Sequence, residues 1–112
     1  EKKYFKPIID GMQKVIEGAN GTAVNSKLND IIICGKTGTA QNPHGEDHSI
    51  FIAFAPKENP KIAIAVYVEN GGWGSTWAAP MASLMIEKYL TKTITNKLQE
   101  DFIVNGNLLS RR

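Results

Sequence analysis

Four consecutive residues, Lys36-Thr37-Gly38-Thr39, bring together a primary ammonium, two hydroxyls and a position with no side chain. They follow Ile31-Ile32-Ile33-Cys34-Gly35, whose β-branched run reads as a strand, so the first strand is expected from about Ile31 to Ala40. At a strand margin these residue types suit a carboxylate-bearing peptide docking alongside. The lysine supplies charge, and the glycine lets another backbone approach. Gly35-Lys36-Thr37 also matches the end of a nucleotide-binding loop, but that reading fails. Asp30 stands where its first glycine should be, and isoleucines replace the flexible loop. Gly38, Asn42, Pro43 and Gly45 oppose the following helix that would hold phosphate.

Other elements must position this strand. Phe5, Ile8, Ile9, Met12, Val15 and Ile16 recur at helical spacing, with Lys6, Asp10, Gln13, Lys14 and Glu17 opposite, so an amphipathic helix is expected from about Lys6 to the Gly18–Gly21 break. Two further strands are expected, from about Ser49 to Ala55 and from Lys61 to Glu69. Their short, turn-rich links make an antiparallel meander, and their nearly continuous apolar character predicts cover on both faces of the sheet. A second helix should run from Ser75 or Thr76, either one a plausible N-cap, to Leu90, with Met81, Leu84, Met85 and Tyr89 as its inner stripe. Ile94, Leu98 and Phe102 suggest a short third helix, and a mobile end is expected from Asn105.

At 112 residues the chain has room for one small domain, and 42% hydrophobic with 21% charged residues describes an ordinary globular segment. A net charge of +2 is too small to argue for nucleic acid or an anionic membrane. No run of 18 apolar residues and no signal-peptide pattern is present; the chain opens on Glu1, which suggests an excised piece whose targeting segment lies upstream. Cys34 is the sole cysteine, so internal disulfides and multi-cysteine metal sites are excluded, and its neighbours make it a buried small hydrophobe. His44-Gly45-Glu46-Asp47-His48 departs from His-Glu-x-x-His and reads as a solvated hairpin loop, so no metal is expected. Trp73 and Trp77 read as core anchors, Met81 and Met85 as core, and Lys57, Glu58, Lys61 and Glu69 as solvated surface.

With Lys36-Thr37-Gly38 placed on a strand, the chain resembles the penicillin-binding, serine-acyl-transferase family. Further stretches are similar to its high-molecular-weight class B members: Gly11-Met12-Gln13-Lys14-Val15-Ile16-Glu17-Gly18, Gly21-Thr22-Ala23 and Gly35 to Gln41. So are Asp47-His48-Ser49-Ile50-Phe51-Ile52-Ala53-Phe54-Ala55-Pro56, Pro60-Lys61-Ile62-Ala63-Ile64-Ala65-Val66, Val68-Glu69-Asn70-Gly71-Gly72 and Ala78-Ala79-Pro80-Met81-Ala82. The order and spacing, from about Phe5 to Leu90, are most similar to the elongation-type penicillin-binding protein 2 group. The family's other two motifs are Ser-x-x-Lys and Ser-x-Asn. None of the five serines, Ser26, Ser49, Ser75, Ser83 and Ser110, stands in either pattern.

The resemblance therefore implies an α/β (α+β) fold: a three-stranded antiparallel meander with flanking helices, part of the five-stranded serine β-lactamase/transpeptidase-like fold. Residues 1–91 would be the C-terminal part of a transpeptidase domain and 92–112 a tail. It implies a peptidoglycan D,D-transpeptidase that cross-links stem peptides through a serine ester and binds β-lactams, in cell elongation and shape. The isolated chain, lacking the nucleophile, should be inactive. Lys36 would act in proton relay and, with Thr37 and Thr39, bind the substrate carboxylate; Gly38 would admit the substrate; the Thr39 amide would donate to the oxyanion. Implied partners are the D-Ala-D-Ala stem peptide, β-lactams, the N-terminal part of the same protein and an elongation glycosyltransferase, with no cofactor and no nucleic acid. The location implied is the bacterial inner membrane, catalytic domain in the periplasm, this piece soluble. Strand 61–69, deprived of a neighbour, would pair with another copy. A β-lactamase or β-lactam-sensing receptor of the same fold, or a non-enzymatic interaction module, stay open as alternatives.

Overall fold

The computed structural model describes residues 1–108. A 3-10 turn, Lys2–Tyr4, leads into helix α1, Phe5–Glu17; a second 3-10 turn, Val24–Ser26, precedes strand β1, Cys34–Ala40. Strands β2, His48–Ala55, and β3, Ile62–Val68, follow, then helices α2, Ala78–Thr91, and α3, Lys97–Val104. The sheet order is β1-β2-β3 and both pairings are antiparallel, as the short links required. The register sets Thr37 against Phe51 and Val66, and Lys36 against Ile52 and Ala65. β1 is shorter than expected, because Ile31–Ile33 lie outside the ladder; instead the Ile32 carbonyl accepts from the Lys57 amide at 2.9 Å.

Among the described residues, only one face of the sheet is covered. Phe51, Ala53 and Ala55 pack with Ile33, with Ile16 of α1 and with Ala78, Ala79, Ala82 and Ile86 of α2 in a single core. On the other face Ile52 and Tyr67 are open, and Ala63 and Ala65 are exposed. The expected cover on both faces is therefore not met among the described residues, because the two long helices that pack on the sheet, α1 and α2, share one face.

Helix α2 is turned relative to the expected stripe. Its buried side runs through Ala79, Ala82, Ser83 and Ile86 as well as Leu84, whereas Met85 and Tyr89 are more than half exposed. Small residues allow the helix backbone to settle close to the sheet, and the Ser83 hydroxyl donates to the Ser26 carbonyl at 2.7 Å. The helix is capped by neither Ser75 nor Thr76. Trp77 occupies the cap position, and buried Ser49 of β2 accepts from the Ala78 amide at 3.1 Å while donating to the Trp73 carbonyl at 2.9 Å. The Ala79 amide donates to Gly74 O and Pro80 has no N–H to satisfy, which completes the first turn. Removing the hydroxyl strands the buried Ala78 amide, while the Trp73 carbonyl keeps the Thr76 amide as donor. Ser49→Ala should therefore cost about 2 kcal/mol in urea unfolding, with no change in slope.

Helix α1 buries Ile16 only; Phe5 and Ile8 at its start remain exposed. It is tied to the sheet by Lys57, which is not the solvated lysine expected but donates to Asp10 at 2.8 Å and to Gln13 at 2.6 Å. The Lys57 hydrogen bond, followed by that from Lys6, lowers the Asp10 pKa from 3.8 to about 2. The tie is therefore present above pH ~4 and lost as pH falls through about 2. The melting temperature of the native chain should exceed that of Asp10→Asn at pH 6, and the gap should close between pH ~4 and ~2.

Helix α3 begins at Asn96, whose side chain accepts from the Gln99 amide at 3.0 Å, and it docks through Phe102 stacked on Trp77 at 4.9 Å. Leu98, expected on the same stripe, is exposed. Glu87, buried on α2, accepts from the Thr95 amide and hydroxyl and fixes the link to α3. Cys34 is fully buried as expected, and burial pushes its thiol pKa up. The expected mobile end falls, for residues 109–112, outside the described residues.

Candidate functional site at the β1 margin

β1 forms one outer strand of the sheet, and Lys36 and Thr39 on it are exposed, with Thr37 and Gly38 half-buried. No helix springs from Lys36. Pleating divides the four residues: Lys36 and Gly38 face the open side with Ile52 and Ile50, while Thr37 and Thr39 face the helix-bearing side. The ammonium of Lys36 donates to the Thr37 carbonyl at 2.7 Å. On the opposite side of the strand the Thr37 and Thr22 hydroxyls hydrogen-bond at 2.9 Å. Sequence reasoning missed Thr22 as a neighbour of the site; only Gly21-Thr22-Ala23 in the resembling stretches pointed to it.

The backbone direction of β1 follows from Gly74. A Cβ there would press on the Gly38 carbonyl at 2.6 Å and the Gly38 amide nitrogen at 3.0 Å, and also on the Ile50 carbonyl. The polar groups of Gly38 therefore turn inward toward β2. Alternation along an antiparallel strand then turns those of Thr37 and Thr39 outward, where Lys36 reaches the first of them. The Thr39 amide thus points away from the sheet.

Glycines 35 and 38 differ in kind. A Cβ at Gly35 would enter the Phe51 ring and lie 3.0 Å from the Ile52 carbonyl, so packing alone demands glycine. A Cβ at Gly38 would meet Ile50 at 3.4 Å, an ordinary contact, so the chain itself leaves that place free.

Beyond Thr39 the turn after β3 closes over the β1–β2 loop. The Gly72 amide donates to Asp47 O at 2.7 Å, with Gly72 at φ 72°, and Asn42 Nδ2 donates to Asn70 Oδ1 at 2.8 Å. Trp77 is buried as expected, but Trp73 projects from this turn 73% exposed. A hollow of about 590 Å³ lies over the same loop and includes His44, His48 and Glu69, away from Lys36. His48 Nδ1 accepts from the Asn70 amide at 3.0 Å, which gives that ring a structural partner. Among the described residues no group of three His, Cys, Asp or Glu is placed to hold a metal, and no helix is long and apolar enough to cross a membrane.

Residues 1–87 match the family described as the penicillin binding protein transpeptidase domain. The peptidoglycan D,D-transpeptidase MrdA of Haemophilus influenzae is 36% identical over 100 residues, covering 75% of this chain and 15% of that protein. The structure of Pseudomonas aeruginosa PBP2 in complex with WCK 5153 superposes with a TM-score of 0.75 at 37% identity, over 87% of this chain and 22% of that one. Penicillin-binding protein A of Mycobacterium tuberculosis, as a ceftriaxone acyl-enzyme complex, gives 0.66 at 33% identity, over 75% and 20%. The chain thus spans about 15% of the curated relative's length. The chain belongs to the penicillin-binding protein transpeptidase domain family.

Proposed function

We propose that this chain forms the substrate-binding strand of a peptidoglycan D,D-transpeptidase of the elongation type. Its nucleophilic serine and that serine's lysine would lie on polypeptide outside these 112 residues. The observation that carries this reading is the Lys36–Thr39 margin: an ammonium, hydroxyls and an outward amide along one outer strand. The stem peptide adds alongside β1 as a further strand. Its terminal carboxylate is met by Lys36 and the Thr37 hydroxyl. The Thr39 amide donates to the carbonyl oxygen as it gains charge, a contribution of the order of a few kcal/mol in comparable sites.

The chemistry is acyl transfer. The serine oxygen attacks the carbonyl between two D-alanines, its proton passes through the lysine network, and the terminal D-Ala leaves as the amine. An amine from a second strand then forms the new amide and returns the serine oxygen its proton. A β-lactam occupies the same margin and stops at the ester. The M. tuberculosis relative, solved as an acyl-enzyme complex, supports the covalent route. The same reading places the site in the periplasm on a membrane-anchored protein that works with a glycosyltransferase.

The test is labelling by a fluorescent penicillin. The complete polypeptide carrying this chain should label, and the 112-residue chain alone should not. The latter should also sediment as a dimer or larger through the β3 margin, where Tyr67 is exposed and Ile62, Ile64 and Val66 are half-exposed. Labelling of the isolated chain would refute the assignment of the nucleophile to other polypeptide, and a monomer at high concentration would refute the edge pairing.

A further inference from the structure

The Thr37 hydroxyl is held by a residue from outside the sheet. Thr22, 15 positions earlier, hydrogen-bonds it oxygen to oxygen at 2.9 Å. Thr22 stands between two anchored neighbours. The Gly21 amide donates to Gly18 O and the Ala23 amide to Val15 O, each at 2.9 Å, and Ala23 is fully buried. A Cβ at Gly21 would overlap the Lys14 and Val15 carbonyl oxygens, so the chain here lies directly on the last turn of α1. Thr22 thus projects from a bend that α1 fixes, and its hydroxyl meets β1 on the helix-bearing side. Lys36 holds the Thr37 carbonyl, so Thr37 is fastened at both its backbone and its side chain. Thr22 is exposed and Thr37 half-buried, which leaves the pair open to an arriving ligand.

Either oxygen of the pair can be the donor. Each hydroxyl has one proton and two lone pairs, whereas a carboxylate only accepts. A carboxylate that meets Thr37 therefore takes the Thr37 proton. Thr22 must then donate, because Thr37 has no second proton to give it. The reverse arrangement would turn the lone pairs of Thr37 toward an anion. We propose that Thr22 is a positioning residue for the substrate peptide: it holds the Thr37 hydroxyl with its proton aimed at the terminal carboxylate, and does not touch the peptide itself. Each bond of the series polarises the next, so Thr37 becomes a better donor. The inference rests on the strand reading proposed above and brings the end of α1 into a site otherwise built from β1.

The test uses the complete polypeptide and two peptides, acyl-D-Ala-D-Ala and its C-terminal amide, which is neutral where the first is charged. Release of D-Ala, or of D-alaninamide, is followed. Thr22→Val keeps the shape of the side chain and removes the hydroxyl. It should raise KM for the free acid about five-fold, with kcat and the melting curve unchanged, and alter KM for the amide less than about two-fold. Thr22→Ser should restore the native KM. In a Thr37→Val background Thr22→Val should add nothing, since its effect runs through the missing hydroxyl. A native KM in Thr22→Val, an equal rise with both peptides, or effects that multiply in the double variant would each overturn the inference. Were Thr22→Val to melt early, Thr22→Ala should give the same ratio between the peptides. The strand reading fails separately. Native protein that uses the acid and the amide equally well, or Thr37→Val that alters the use of neither, would sink it whatever Thr22 does.

Discussion

Lys36→Ala in the complete polypeptide should lower the rate of acylation by penicillin about a hundredfold to a thousandfold, with the melting curve unchanged. The side chain is exposed and its one hydrogen bond runs to the carbonyl of the next residue, so truncation opens no cavity and orphans no buried group. On the proposed reading, what it removes is the ammonium that would meet the incoming carboxylate, together with a proton-relay member on the open face of the sheet. Lys36→Arg separates the two duties. A guanidinium keeps the charge but does not give up its proton, so apparent affinity should recover while the acylation rate stays low. Acylation of Lys36→Ala at the native rate would remove Lys36 from the mechanism.

The two glycines of β1 should respond in opposite ways. Gly35→Ala drives a methyl into the Phe51 ring, with the Ile52 carbonyl 3.0 Å away. Phe51 is fully buried in the core and cannot swing clear, so about 3 kcal/mol of stability should be lost, a large share of what a domain this size has. Gly38→Ala meets only Ile50 at 3.4 Å and should melt like the native protein. Its added methyl stands on the open face beside Lys36, where the proposed strand reading brings the peptide, so acylation should fall at least ten-fold while stability holds. Denaturation midpoints paired with penicillin labelling check both. A Gly38→Ala protein that unfolds early would mean the glycine serves packing after all.

These contrasts show where local reading succeeds. The antiparallel order of the meander was legible because the Pro56–Pro60 and Gln41–His48 links are too short for anything but antiparallel return, whereas the register was not. Cys34 and Trp77 were legible as core from their neighbours. Trp73 was not: four positions from Trp77 and of the same type, it is exposed because the Asn70–Gly72 turn is anchored to Asp47 and aims it outward. Met85 and Tyr89 misled for a related reason. Periodicity counts apolar residues, and on α2 the sheet takes the small ones, Ala79 and Ala82.

From the sequence alone came the element order, the family resemblance and the presence of Lys36, Thr37, Gly38 and Thr39 on one strand, since each depends on residues near one another in the chain. The tertiary structure decided the rest. Which backbone groups of β1 point outward, that Ser49 caps a helix 29 residues away, that Lys57 holds α1, and that Glu46 and Trp73 share a hollow with Thr39 all depend on side chains brought together from distant positions. Such contacts are set by how helices seat on one face of a twisted sheet, and no local pattern encodes that seating.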